Sequence, residues 1–317
     1  MTRLPGKAEI LEWERRWSVR AGLATLAAVA LLIAGAFVSG PIHGEDKAEI
    51  LRSAHEHGSA LIASGALQAL GFALLVVPLV FLFRAVRARS DRVRAQLIGL
   101  VIAAPLFFAI ATLTNGPATK NAATQFVDGE AKSTLTAPEA AKECRSDLKD
   151  EGAKAFGEEF EPAKGETALA ACEQDKVENN EAENAISEQG LTSVAEGFSL
   201  GGRLGLAATL LYTCLWAMRV GLLTRFWGSL GMALGAAALL GLVLFLVIWF
   251  IYFAVLLLGR LPGGRPPAWA AGEAIPWPTP GEKAAAELEP EEPADGPSNG
   301  SGDPGSGGER RKRKQRD

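Results

Sequence analysis

Along this chain the hydrophobic and polar positions fall into long uncharged runs separated by charged connectors, with little of the short periodicity that marks a soluble fold. Residues 21–39 (AGLATLAAVALLIAGAFVS) and 60–83 (ALIASGALQALGFALLVVPLVFLF) contain no Asp, Glu, Lys or Arg. A bilayer core about 30 Å thick offers no water to backbone N–H and C=O groups, so a crossing segment is a helix of roughly 20 apolar residues. Both runs meet that requirement. Residues 96–114 make a third such run, with Pro105 in its middle where a membrane helix tolerates a kink. Residues 199–218 make a fourth apolar run, with Arg203 as its one charge. The last apolar stretch, residues 227–258, is too long for one ordinary crossing: about 32 residues at 1.5 Å give about 48 Å of helix, and tilts near 20° do not absorb that excess. It predicts a hairpin turning near Gly241 and hence six spans, although no Asn, Pro or Asp marks the turn. One steeply tilted helix, giving five spans, is the alternative.

The expected fold class is therefore all-α, a polytopic transmembrane helix bundle with a helical-hairpin insert. Its parts are a cytoplasmic amphipathic leader over residues 1–20, spans one to three over 21–115, an extracytoplasmic acidic insert over 116–195, spans four to six over 196–258, and a disordered cytoplasmic tail over 259–317. In the leader, Ile10, Trp13 and Trp17 recur at helical spacing with Glu12, Arg15 and Arg16 off that stripe, which suits a short helix lying in the headgroup layer. The first apolar run is longer than the 7 to 15 residues of a secretory signal, and Glu9, Glu12 and Glu14 precede it, so it reads as an uncleaved anchor.

Charge then orients the bundle. The leader carries Arg3, Lys7, Arg15, Arg16 and Arg20, and the second connector carries Arg84, Arg87, Arg89, Arg92 and Arg94. Cytoplasmic loops collect Lys and Arg, which places the N-terminus in the cytoplasm of a cell whose plasma membrane the chain crosses several times. The loop over residues 40–59 sets Lys47 and Arg52 against Glu45, Asp46, Glu49 and Glu56, so it faces outward. Six spans also bring Arg260, Arg265 and the terminal RRKRKQR inside; five put them outside.

Between residues 116 and 190 about 17 acidic residues stand against 8 basic ones, with much Ala and few large apolar side chains. Residues 138–156 and 166–187 read as two helices parted by the Pro162–Gly165 region. Each carries one cysteine, Cys144 and Cys172, and an oxidising exterior would join them in a disulfide across an element too poor in apolar residues to hold itself. Free thiols in a disordered acidic loop are the other reading of the same composition. Cys214 sits inside the fourth run as a small buried hydrophobe.

Composition agrees with the membrane class: 48% hydrophobic residues, 35 glycines and a positive mean hydropathy of 0.14. A net charge of −4, with no nucleic-acid module, turns the reading away from nucleic acid. Chemistry-bearing clusters are few. The three histidines, His43, His55 and His57, gather near Glu45, Asp46 and Glu56 and are weak candidates for a metal site, because His55 and His57 lie two apart rather than four. A solvated loop is the blander reading. Gln68, Glu196 and Arg203 form a possible intramembrane polar site, with Glu196 and Arg203 seven apart on one helical face. Glycines at 201, 202 and 205, and at 228, 231 and 235, are spaced for close helix packing. No nucleophile–base pair or phosphate-binding loop is evident in the chain; neither a catalytic residue nor a cofactor is expected.

The tail opens with Trp269 and Trp277 among prolines, a segment suited to lying across the bundle's inner face or in a partner's groove, and continues as an unstructured Pro/Gly/Ser-rich stretch. Its basic end suits anionic lipid. The segments MRVGLLTRFWGSLGMALG, GRLPGGRPPAWAAGEAIPWPTPGEKAAAELEP and HEHGSALIASGALQALGFALL together resemble an uncharacterised family of multi-pass membrane proteins from high-GC actinobacteria. The resemblance implies a turn within the last apolar stretch, where similar proteins have a short break that this chain lacks. It implies no activity, ligand or catalytic residue. The expected role is a non-enzymatic membrane scaffold or envelope interaction protein, with the lipid bilayer around it and a protein partner for the insert or the Pro/Trp tail. A small transporter or channel component is the alternative.

Overall fold

The computed structural model describes residues 6–40, 44, 46–155, 162–242 and 245–278, with the backbone alone for 147–155 and 162–168. Among the described residues the chain is all helix and turn, without strands. The order is α1 (Lys7–Val38), α2 (Lys47–Glu56), α3 (Gly58–Arg89), a 3-10 turn (Ala95–Leu97), α4 (Ile98–Val127), α5 (Ala137–Ala155), α6 (Pro162–Ser187), α7 (Gly190–Arg219), α8 (Arg225–Leu239), α9 (Leu246–Leu257) and the short α10 (Pro267–Ala271). Four stretches are long and apolar enough to cross a membrane: Lys7–Val38, Gly58–Arg89, Ala95–Val127 and Gly190–Arg219. The chain divides into a unit Met1–Trp277 and a second, Pro278–Asp317, of which only Pro278 is described.

Six helices close a ring. α1 packs on α3, α3 on α4, α4 on α7, α7 on α8, α8 on α9, and α9 back on α1. Glycines let these helices meet closely. A methyl at Gly65 would come within 2.6 Å of the Thr112 carbonyl, and one at Gly116 within 2.8 Å of the Leu61 carbonyl, so α3 and α4 nearly touch backbones. Gly202 and Gly205 face Phe108 and Ala104 of α4, whereas Gly228, Gly231 and Gly235 face Met218, Cys214 and Leu210 of α7. The two glycine series singled out in the sequence thus serve two different interfaces.

Three expectations differ from the structure. The leader is not a separate in-plane helix, because residues 7–20 are the first turns of α1 and no proline or polar break parts them from the apolar run. The third apolar helix does not stop near residue 115: α4 passes through Pro105 and Pro117 and ends at Val127, and α7 begins at Gly190. The insert boundaries at 116 and 195 therefore fall within helices. The proximal tail is ordered, with α10 and its flanks packed on the bundle as far as Trp277; residues 279–317, expected to be unstructured, lie outside the described residues.

The last apolar stretch breaks at Gly241. Its φ of +83° lies in the left-handed region, and the Leu242 N–H donates to Ala237 O while the Gly241 N–H donates to Ala238 O. These two bonds form the glycine-ended stop that satisfies orphan helix carbonyls. α8 and α9 then run antiparallel: Trp227, in the first turn of α8, stacks 3.6 Å from Tyr252 of α9, and the Trp249 indole donates to Trp227 O at 3.0 Å.

At the end of the bundle remote from the arginine-rich connector lies a separate small core. Ala48, Leu51 and Ala54 of α2, Ala122, Ala123 and Phe126 of α4, and Ala182 and Ala185 of α6 bury one another. Charge fastens this cap, through Lys47 with Glu183 and Arg52 with Glu178. The Asn180 side-chain oxygen accepts from Ser133 and from the backbone and hydroxyl of Thr134, which pins the turn leading into α5. Residues 137–155 and 162–187 are helical, close to the two arms expected, and Cys144 and Cys172 lie at disulfide distance with Cα atoms 5.9 Å apart.

Candidate functional site

The densest polar arrangement lies at the opposite, arginine-rich end, where the proximal tail crosses the mouth of the bundle. It starts from Arg89 in the last turn of α3, a guanidinium with no exposed side-chain surface. Nη1 donates to Glu14 Oε1 and to the Ala85 carbonyl; Nη2 donates to Glu14 Oε2 at 2.9 Å and to Ala268 O at 2.9 Å; Nε donates to Ala268 O at 3.3 Å. All five N–H donors of the fork are engaged. A bidentate carboxylate clamp of this kind fixes orientation as well as charge, and it joins α1, α3 and the tail through one side chain.

Aromatic rings extend the clasp. The Arg89 guanidinium lies 5.7 Å over Trp269, Trp269 stacks on Phe81 at 6.0 Å, and Phe81 stacks on Trp13 at 5.1 Å. Both tail indoles find backbone partners: Trp269 Nε1 donates to Leu222 O at 2.9 Å and Trp277 Nε1 to Leu223 O at 2.8 Å. Those carbonyls are available because α7 has already ended at Val220, and Gly221, at φ +79°, turns the chain towards α8. The Ile275 N–H donates to Val220 O, and Arg225 Nη2 donates to Trp277 O.

Local sequence explains the path of this strap. Pro267 opens α10 at a position where its missing N–H costs nothing, and Gly272, at φ +65°, closes it. Arg265 donates to the Leu256 and Leu257 carbonyls at the C-terminus of α9, where a cation opposes the negative end of the helix dipole. Burial pushes the Arg265 guanidinium below its ordinary range, and the charge of Glu14 works against that. Lys7 pairs with Glu273 at the outer edge. With the Arg89 fork and both tail indoles matched to acceptors, the arrangement can hold segments together.

The residues singled out from sequence lie elsewhere. Gln68 donates to Ser64 on its own helix, and Ser64 donates across to Gly35 O of α1 at 2.7 Å. Glu196 is exposed near the start of α7. Arg203, two turns on, reaches the α8–α9 turn with Nη1 3.7 Å from the Cβ position of Gly241, and its buried Nε has no hydrogen-bond partner. No ion pair or hydrogen bond among the described residues joins Gln68, Glu196 and Arg203 into one site.

His55 and His57 are both exposed at the α2–α3 junction, where His57 Nδ1 lies 2.8 Å from Ser53 O. His43 lies outside the described residues. Among the described residues no three His, Cys, Asp or Glu side chains are placed to hold a metal ion. Cys214 is buried against Gly231 and Trp249.

Sequence reasoning missed Glu14 and Arg89. One signal was present: Glu14 stands four residues after Ile10 and four before Ser18, on the buried face of α1, where an unpaired carboxylate has no place. Compared with protein-family models, curated proteins and solved structures, the chain matches none, so the clasp's own geometry is what remains to speak for its role.

Proposed function

We propose that this chain is a non-enzymatic membrane scaffold of the plasma membrane, with its N-terminus and strap in the cytoplasm and its cap outside. The observation that carries the reading is the Arg89 fork, whose donors tie Glu14 of α1 and the Ala268 carbonyl of the strap to α3. A tail held this way starts from a fixed point on the bundle, and that is what a display platform for a protein partner requires. The arginine-rich connector and leader favour the cytoplasmic side for this end. On the other side an oxidising exterior supports the Cys144–Cys172 bond as a brace across α5 and α6.

The span count follows from length. α8 and α9 have 15 and 12 residues, hence about 22 and 18 Å of helix against a core of about 30 Å. We read them as a hairpin that enters from the cytoplasmic side and returns to it, in place of full fifth and sixth spans, with the tail still inside.

A transporter or channel component is the second reading, and Arg203 favours it. A half-buried arginine with an unpartnered Nε beside the turn of a broken-helix hairpin resembles the placement of substrate and ion sites in transporters. Reconstitution into liposomes separates the two. The scaffold predicts no ion or solute flux above empty vesicles, while native membranes yield a partner cross-linked to the intact chain and lost when it is truncated after Leu258. Substrate-dependent flux abolished by Arg203→Ala would sink the scaffold reading.

A further inference from the structure

Beside the clasp, α1 and the strap enclose a groove of about 350 Å³, lined on one side by Leu11, Glu14, Arg15 and Ser18 and on the other by Arg265 and Trp269. From its position and charge we infer that this groove binds the phosphate of an anionic phospholipid headgroup. The inference needs the chain to lie in a bilayer but does not depend on the scaffold role.

Depth is the first argument. The uncharged run of α1 starts at Ala21, and Gly22 meets Leu258 and the Ala254 carbonyl at the end of α9. The groove occupies the two to three turns immediately before that run, the level at which headgroups surround a membrane helix. Trp17, 40% exposed with Arg20 stacked over it, stands at the same level, as interfacial tryptophans do.

Charge is the second. Glu14 contributes a carboxylate to the lining, but both its oxygens are taken by Arg89. That leaves Arg15 and Arg265 as the groove's cations, Arg265 already within the field of Glu14 and Arg15 without an ion-pair partner among the described residues. Arg15 is exposed. Arg265 spends Nε and Nη2 on the α9 carbonyls and has Nη1 to offer. Two guanidiniums flanking one cleft form a phosphate-binding arrangement, since the planar fork matches phosphate oxygens. An anion there would also offset the burial that weighs on Arg265.

Apolar surface is the third. Leu11 and the half-exposed Val19 continue the groove towards the uncharged part of α1. A free phosphate has no use for that wall, whereas the glycerol and first methylenes of a lipid do.

The test titrates the detergent-solubilised full chain with phosphatidylglycerol and counts bound lipid by native mass spectrometry. Wild type should take up one phosphatidylglycerol ahead of any phosphatidylcholine, and millimolar inorganic phosphate should not displace it. Arg15→Ala should melt like wild type yet bind about five-fold more weakly, the effect of one basic residue near an anionic lipid. Arg16→Ala removes the same charge one residue away, from a side chain paired with Glu12, and should bind like wild type. Equal losses in the two variants would reduce the effect to net charge and overturn the site. Equal uptake of phosphatidylcholine, or displacement by inorganic phosphate, would overturn the lipid assignment.

Discussion

Glu14 and Arg89 are 75 positions apart in sequence and form a buried bidentate ion pair, with Arg89 Nη2 2.9 Å from Glu14 Oε2. Removing one partner strands the other charge, so Glu14→Ala should lower the stability of the solubilised protein by about 3–5 kcal/mol. The double variant Glu14→Leu with Arg89→Met should recover much of that loss, because it removes both charges together. Thermal melts of the three proteins in one detergent test this. A double variant no better than Glu14→Ala would show that the Ala268 contact, and not charge pairing, dominates.

The strap should come loose when Gly221 is replaced. A Cβ there would sit 2.0 Å from the Ile275 carbonyl, and φ +79° adds about 1–2 kcal/mol of backbone strain for alanine. Gly221→Ala should therefore expose the chain after Arg260 to trypsin at a rate several-fold above wild type. Gly197→Ala, which meets open space, should leave cleavage unchanged.

Cys144 and Cys172 should resist maleimide in the non-reduced protein and react once reductant is added, while Cys214 stays protected in both states by burial. Counting labels by mass before and after reduction gives zero and two. Labelling of either cap cysteine without reductant removes the brace.

Acid should loosen the start of α5. Glu139 accepts from both the hydroxyl and the N–H of Thr136, and these bonds hold its carboxylate below the ordinary value of 4.5. A carboxylate with a lowered folded pKa contributes stability that is present above its unfolded value and lost as pH falls through the folded one. Titrating Glu139 by NMR should show a midpoint below 4.5 that rises towards the ordinary range in Thr136→Ala, which removes the hydroxyl and keeps the backbone N–H. An unchanged midpoint in the variant would rule out this capping bond.

Leu240, at the hairpin tip and 80% exposed on the protein itself, should face lipid if α8 and α9 stop inside the hydrocarbon core. Leu240→Cys in sealed vesicles should then resist charged maleimides from both sides. Labelling from the cap side would mean that the pair crosses completely.

Length and charge made the four long helices legible, since uncharged runs such as residues 21–39 and 60–83 are long enough, as helices, to cross a membrane. The break at Gly241 was legible from excess length alone, although no polar turn residue announced it; a glycine-ended stop needs only one residue free to take positive φ. Trp269 and Trp277 were recognisable as docking groups because a tail has no reason to carry indoles into water. Glu14 and Arg89 were not, for a physical reason: each is one of several like charges in its neighbourhood, and only the α1–α3 packing selects which two meet. The in-plane leader failed similarly, because an amphipathic stripe looks the same whether it faces lipid headgroups or Phe81.

The bond from Arg89 to Ala268 spans 179 positions, and this fixes an order of events during biosynthesis. The ribosome delivers Glu14 and Arg89 while most of the polypeptide is still to come, and their pair waits without its cover until residues 259–277 emerge. Until then the Arg89 fork lacks its Ala268 acceptor, and the Leu222 and Leu223 carbonyls, once made, lack the Trp269 and Trp277 indoles that later bond to them.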